Sequence, residues 1–128
     1  MAGDLLFVYG TLMRGFPLHR LLDGQAEYLG NGLVQGLLFD LGSYPAALRG
    51  EGGPIRGEVY RLPVSGLWVT LDSAEGSQYH RGEVGVRMTS GGQVPASIYW
   101  YVGPLAGAVP IPGGDYRAHP PAKSIHHR

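Results

Sequence analysis

The 128-residue chain contains no cysteine. That absence removes disulfides, thiolate metal sites and thiol nucleophiles together, so any chemistry must use oxygen, imidazole, amine or backbone groups. Charge is scarce as well: 16% of residues are charged, ten Lys and Arg balance ten Asp and Glu, and no run of one sign occurs. A polyanion-binding surface needs clustered positive charge, so no nucleic-acid partner is expected. Long apolar runs are missing too. Leu5 to Tyr9 falls far short of the roughly 20 residues that span a bilayer, and Met1-Ala2-Gly3-Asp4 lacks the basic start of an export signal. A cytoplasmic protein with no membrane partner is the expectation.

Several catalytic signatures are also absent. There is no Gly-x-Ser-x-Gly elbow, no P-loop and no Gly-x-Gly-x-x-Gly after a strand, which removes the usual sequence signals of a serine hydrolase or a nucleotide site. The five histidines, His19, His80, His119, His126 and His127, form no His-x-x-x-His on a predicted helix, so they read as surface or core residues rather than metal ligands. No metal is expected.

What the chain has in abundance is glycine, 22 residues, with ten prolines and a hydrophobic content of 44%. That mixture predicts many short strands joined by tight turns and enough apolar surface for a core. Its length suits one domain, taken as residues 1–117. From 118 to 128 the sequence, with His119-Pro120-Pro121 and His126-His127-Arg128, offers little to pack and is expected to be a loose tail.

Leu5-Leu6-Phe7-Val8-Tyr9 is a continuous apolar run ended by Gly10, the pattern of a strand buried on both faces. A loop follows, then a short helix over Leu18 to Leu22 that stops near Gly24. Glycines at 30, 32 and 36 break the stretch from Ala26 to Leu41 into two strands with a bulge or tight turn. Ala46 to Leu48 and Ile55 to Tyr60 read as two more strands. Val64 to Ala74 places Leu67, Trp68 and Leu71 at helical spacing, with Ser65 as amino-terminal cap and Gly76 just past the end. Tyr79 to Met88, the turn Ser90-Gly91-Gly92 and Val94 to Val102 form a hairpin. The sum is an α+β protein: a small mixed β-barrel of about six or seven strands with one or two short helices.

Two places in this order invite chemistry. Glu75 ends the second helix, where the macrodipole disfavours a negative charge. A carboxylate there is either an exposed surface residue or one turned into a cavity, where burial would raise its pKa and suit it to proton transfer near neutrality. The turn Tyr9-Gly10-Thr11-Leu12 either simply closes the strand or offers backbone N–H groups to a carboxylate or carbonyl.

Taken together, these segments resemble the γ-glutamylcyclotransferase-like family, which includes the γ-glutamylamine cyclotransferases. Phe7-Val8-Tyr9-Gly10-Thr11-Leu12 is similar to the family's Tyr-Gly-Ser/Thr-Leu loop, and Leu71-Asp72-x-x-Glu75-Gly76-x-x-Tyr79-x-Arg81 to its Leu-Asp-x-x-Glu-Gly-x-x-Tyr-x-Arg segment. Gly57-Glu58-Val59-Tyr60, Trp100-Tyr101-Val102 and Gly114-Asp115-Tyr116 match further family segments in the same order. The resemblance covers residues 5 to 117. It implies a reaction in which a γ-glutamyl amide cyclises to 5-oxoproline and frees an amine. The substrate's own α-amine is then the nucleophile, so no cofactor is needed. Glu75 would act as general base and then acid, with Tyr9, Gly10, Thr11, Leu12 and Tyr79 binding the small-molecule γ-glutamyl amine or amino acid. Arg81 would pair with a carboxylate such as Asp72 or help hold an anionic substrate. The competing reading is a barrel that binds a small carboxylate or amide without turnover.

Overall fold

The structure is a computed structural model that describes residues 5–63 and 66–119. Its strands are β1 (Leu5–Val8), β2 (Glu27–Val34), β3 (Leu37–Asp40), β4 (Pro45–Leu48), β5 (Ile55–Arg61), β6 (Tyr79–Met88), β7 (Gln93–Tyr101) and β8 (Val109–Pro110). One α-helix, α1 (Gly66–Glu75), and one 3-10 helix, Pro17–Leu21, complete the set. Five strands close into a barrel in the order β1-β5-β2-β6-β7, sealed where β1 meets β7 in parallel with Leu6 opposite Ser97. The remaining three form a separate sheet, β4-β3-β8.

The α+β class and the mixed barrel agree with the sequence reading, while the barrel holds five strands instead of six or seven. The difference arises where β2 ends. At Gly36 a Cβ would lie 2.9 Å from Ile55 and 3.0 Å from the Leu48 carbonyl, so glycine lets the chain turn out of the barrel. Beyond it β3 pairs with β4 from Leu37 opposite Leu48 to Asp40 opposite Pro45. β8 lay unseen in a proline-rich stretch. Two residues long and carrying Pro110, it sits at the edge of its sheet, the place where a strand tolerates proline. The bulge in β2 falls between Tyr28 and Gly30, whose φ of 139° favours glycine.

The continuous apolar run of β1 has a physical cause in two cores on opposite faces of the same strands. Phe7 and Tyr9 join Val34, Ile55, Val59 and Ile98 in one cluster, whereas Leu6 and Val8 join Tyr60, Leu67, Leu71 and Tyr99 in the other. Both faces of β1 are therefore dry, and alternation disappears. α1 covers the second core with Leu67, Trp68 and Leu71, while Val69 points away at 72% exposure. Each such buried side chain contributes about 1.5–3 kcal/mol of transfer free energy. Ser65, the expected cap, lies outside the described residues.

The expected tail from 118 lies mostly outside the described residues as well. Ala118 and His119 are still tied down: Ala118 N–H donates to Asp115 Oδ1 at 3.4 Å, and His119 Nε2 lies 3.0 Å from buried Asp40. No helix among the described residues is long and apolar enough to cross a membrane.

Candidate active site

The end of β1, the amino end of β4 and the carboxyl end of α1 enclose a cavity of about 200 Å³. Tyr9, Gly10, Thr11 and Leu12 line it from one side, and Glu75 and Tyr79 from the other. The six residues singled out in the sequence therefore face one space, although more than 60 positions separate the two groups. Leu18, Tyr44, Pro45 and Tyr99 also contribute to its wall.

Local chain geometry sets Glu75 in place. It is the last residue of α1, and Gly76 follows with φ 89°, the left-handed turn that glycine takes without strain. Gly76 N–H donates to the Asp72 carbonyl at 3.2 Å, and Tyr79 N–H to the Gly76 carbonyl at 3.3 Å. The chain thus reverses into β6 within three residues and brings Tyr79 beside Glu75. Burial alone raises the Glu75 pKa from 4.5 to about 7. Such a carboxyl exchanges its proton near neutral pH.

The opposite wall is a loop whose carbonyls are occupied. Gly10 C=O accepts from Met13 N–H at 2.9 Å, and Thr11 C=O from Leu18 N–H at 3.0 Å. Leu12 C=O lies 2.9 Å from His19 Nδ1, which must donate because a carbonyl only accepts. The N–H groups of Thr11 and Leu12 meet no acceptor among the described residues, which leaves them for a ligand. Gly10 itself is required by packing: a Cβ there would sit 2.3 Å from Pro45 Cγ. Gly10 thus lines the cavity while its Cα packs against proline.

Glu58 holds the far end of that loop. It is 4% exposed. Its Oε1 accepts from Arg14 N–H at 3.0 Å and Tyr60 OH at 2.9 Å. Its Oε2 lies 3.2 Å from Arg117 Nη2, which also donates to the Arg14 carbonyl at 2.6 Å. A buried carboxylate needs several such partners, and these happen to fix the backbone on both sides of Arg14. Sequence reasoning placed Glu58 in a strand and gave it no task. The available signal was a carboxylate set between Gly57 and the apolar pair Val59 and Tyr60 in the middle of β5.

Tyrosines form much of the remaining wall, where the sequence reading had made most of them barrel filling. Tyr9 OH donates to the Tyr99 carbonyl at 2.6 Å, and Tyr79 OH to the Pro45 carbonyl at 2.8 Å. Both phenols are pushed above their ordinary pKa, first by burial and then by nearby groups that include Glu75. They stay neutral. Tyr99 OH donates to Asp72 Oδ1 at 2.6 Å.

Arg81 grips Asp72 in a two-pronged contact, Nε to Oδ1 and Nη2 to Oδ2, both at 3.1 Å. Its guanidinium also lies 4.4 Å from the Trp68 ring centroid. Asp72 is one helical turn before Glu75, so the fork, the phenol and the indole together pin the end of α1 to β6 and β7. Both partners are partly exposed, which limits the pair's strength. Arg81→Ala is expected to cost about 1 kcal/mol in urea denaturation.

Comparisons with known proteins place the chain in a family. Residues 6–118 match the family model described as "Gamma-glutamyl cyclotransferase, AIG2-like". A Drosophila melanogaster protein named "Putative gamma-glutamylcyclotransferase CG2811" is 43% identical over 68 residues, 44% of this chain and 43% of that protein. The chain thus spans less than half of that relative's length. A Methanocaldococcus jannaschii protein named "Putative gamma-glutamylcyclotransferase MJ1514" is 28% identical over 118 residues, 89% of this chain and 96% of that one. Among solved structures, an uncharacterized protein from Pyrococcus horikoshii superposes with a TM-score of 0.75 at 27% identity, covering 98% of this chain and 99% of that one. Matched over residues 6–118, the chain belongs to the AIG2-like γ-glutamyl cyclotransferase family.

Proposed function

We propose that the protein is a γ-glutamyl cyclotransferase that converts a γ-glutamyl amide to 5-oxoproline and a free amine. The single observation that supports this most is the shared cavity: Glu75, with its pKa raised to about 7, faces the loop Gly10 to Leu12 across it. The free N–H groups of Thr11 and Leu12 hold the glutamyl portion by its oxygens. Tyr9 and Tyr79, whose hydroxyl protons are already committed to carbonyls, shape the wall.

In the reaction the α-nitrogen bonds to the γ-carbonyl carbon, and the bond from that carbon to the departing nitrogen breaks. Glu75 takes the proton that the α-nitrogen loses and delivers one to the departing nitrogen, so the protein ends unchanged. Curling the substrate into the ring-closing geometry turns attack into an intramolecular step, worth about 7–11 kcal/mol when well oriented. General base and acid transfer adds about 10²–10⁴-fold.

Purified protein incubated with a panel of γ-glutamyl amides is expected to release 5-oxoproline, read by chromatography. No product from any member would sink the proposal and favour a binding module. The ionised form of Glu75 is the one that accepts a proton, so kcat/KM is expected to rise with pH and level off above about 7.

A further inference from the structure

Under the cyclotransferase reading, the glutamyl half of the substrate lies between the loop N–H groups and Glu75. A cavity of about 200 Å³ is small beside the roughly 300–1,000 Å³ of sites that engulf drug-sized ligands. The departing amine therefore extends toward the rim. What it meets there is set by Tyr44.

Tyr44 lines the cavity and is still 43% exposed. Four tyrosines line this space, and the hydroxyls of Tyr9, Tyr79 and Tyr99 each donate to a protein acceptor. The Tyr44 hydroxyl has no hydrogen-bond partner among the described residues. Its ring packs edge-on against Tyr79, with centroids 6.2 Å apart and planes at 61°. Tyr79 is in turn fixed to the carbonyl of Pro45, which is buried against Gly10. The exposed ring thus stands on a rigid base beside the catalytic carboxylate. Leu18 is half-buried in the same wall, and Glu75 is the one charged side chain among the described lining residues. An aromatic and aliphatic rim without further charge favours a hydrocarbon surface on its ligand.

We propose that Tyr44 determines specificity by packing on the departing amine, and that the preferred substrates are γ-glutamyl amides whose amine carries an apolar or aromatic group close to its nitrogen. This rests on the cyclotransferase reading.

The test compares kcat/KM for γ-glutamylbenzylamide and γ-glutamylmethylamide in the wild type, Tyr44→Ala and Tyr44→Phe, with circular dichroism confirming that each is folded. Wild type is expected to prefer the benzylamide by at least about tenfold, the discrimination that added apolar contact commonly gives. Tyr44→Ala should remove most of that preference through a raised KM for the benzylamide. Tyr44→Phe should keep it, because the hydroxyl has no partner to lose. An unchanged ratio in Tyr44→Ala, or a wild type that favours the methylamide, would overturn the role of Tyr44 and leave the cyclotransferase reading standing. A wild type that turns over neither amide but releases 5-oxoproline from another γ-glutamyl amide would overturn the specificity alone, whereas no product from the whole panel would overturn both.

Discussion

Glu75→Gln is expected to lower kcat/KM for 5-oxoproline release by about 10²–10⁴-fold while leaving the fold intact. The amide matches the carboxyl in size and neither accepts nor carries the proton, so the wall of the cavity keeps its shape and loses its chemistry. Stability should move the other way. The folded pKa of about 7 lies above the unfolded value of 4.5. Below pH 4.5 both states are protonated and the shift has no effect. As pH rises from 4.5 to 7, the unfolded chain ionises first and the native state loses stability, a penalty fully present above 7. Glutamine carries no such penalty. The variant is therefore expected to resist urea as well as or better than the wild type above pH 7, with the advantage fading toward pH 4.5. Full activity in Glu75→Gln would remove this residue from the mechanism, whereas lost activity with lost stability at neutral pH would mean that it supports the fold.

Gly10→Ala tests the opposite wall. The new Cβ would lie 2.3 Å from Pro45 Cγ and 2.9 Å from Cδ. A proline ring within a strand does not swing aside, so either β4 or the loop must move. Overpacking of this kind costs about 1–3 kcal/mol. Displacing the Thr11 and Leu12 amides by about 1 Å would cost roughly 10²-fold in rate, read as a fall in kcat/KM beyond what the unfolded fraction explains. Gly113→Ala supplies the contrast. A Cβ there meets nothing within 4 Å, and the change should stay within about 0.5 kcal/mol. Equal behaviour of the two variants would refute the packing argument.

The two substitutions probe different links between sequence and site. Glu75 owes its raised pKa to burial alone, a property of its surroundings in space. Gly10 owes its identity to a residue 35 positions away. Neither cause is visible in the flanking sequence, even though both residues stand out there by type and position.

Local chemistry explains what was legible. The apolar run of β1, the glycines at 91 and 92 in the β6–β7 turn and the left-handed Gly76 after α1 each express a near-neighbour rule, and each appears where the residues place it. The contact of Arg81 with Asp72 was also within reach, because both belong to one short segment. Glu58 was different. Its partners Arg14 and Arg117 lie 44 and 59 positions away, and a lone glutamate in a strand carries no record of them.

The sequence by itself determined the class of the fold, the absence of thiol chemistry, and which segments carry a glutamate and a glycine turn worth attention. Tertiary structure alone decided that these segments meet. Closing five strands into a barrel while β3, β4 and β8 form a second sheet sets Pro45 against Gly10 and Tyr44 against Tyr79. The physical reason is the range of the forces involved. Turn and helix preferences act over a few residues, whereas burial, which gives Glu75 its proton affinity and the cavity its rim, depends on every segment that the fold brings near.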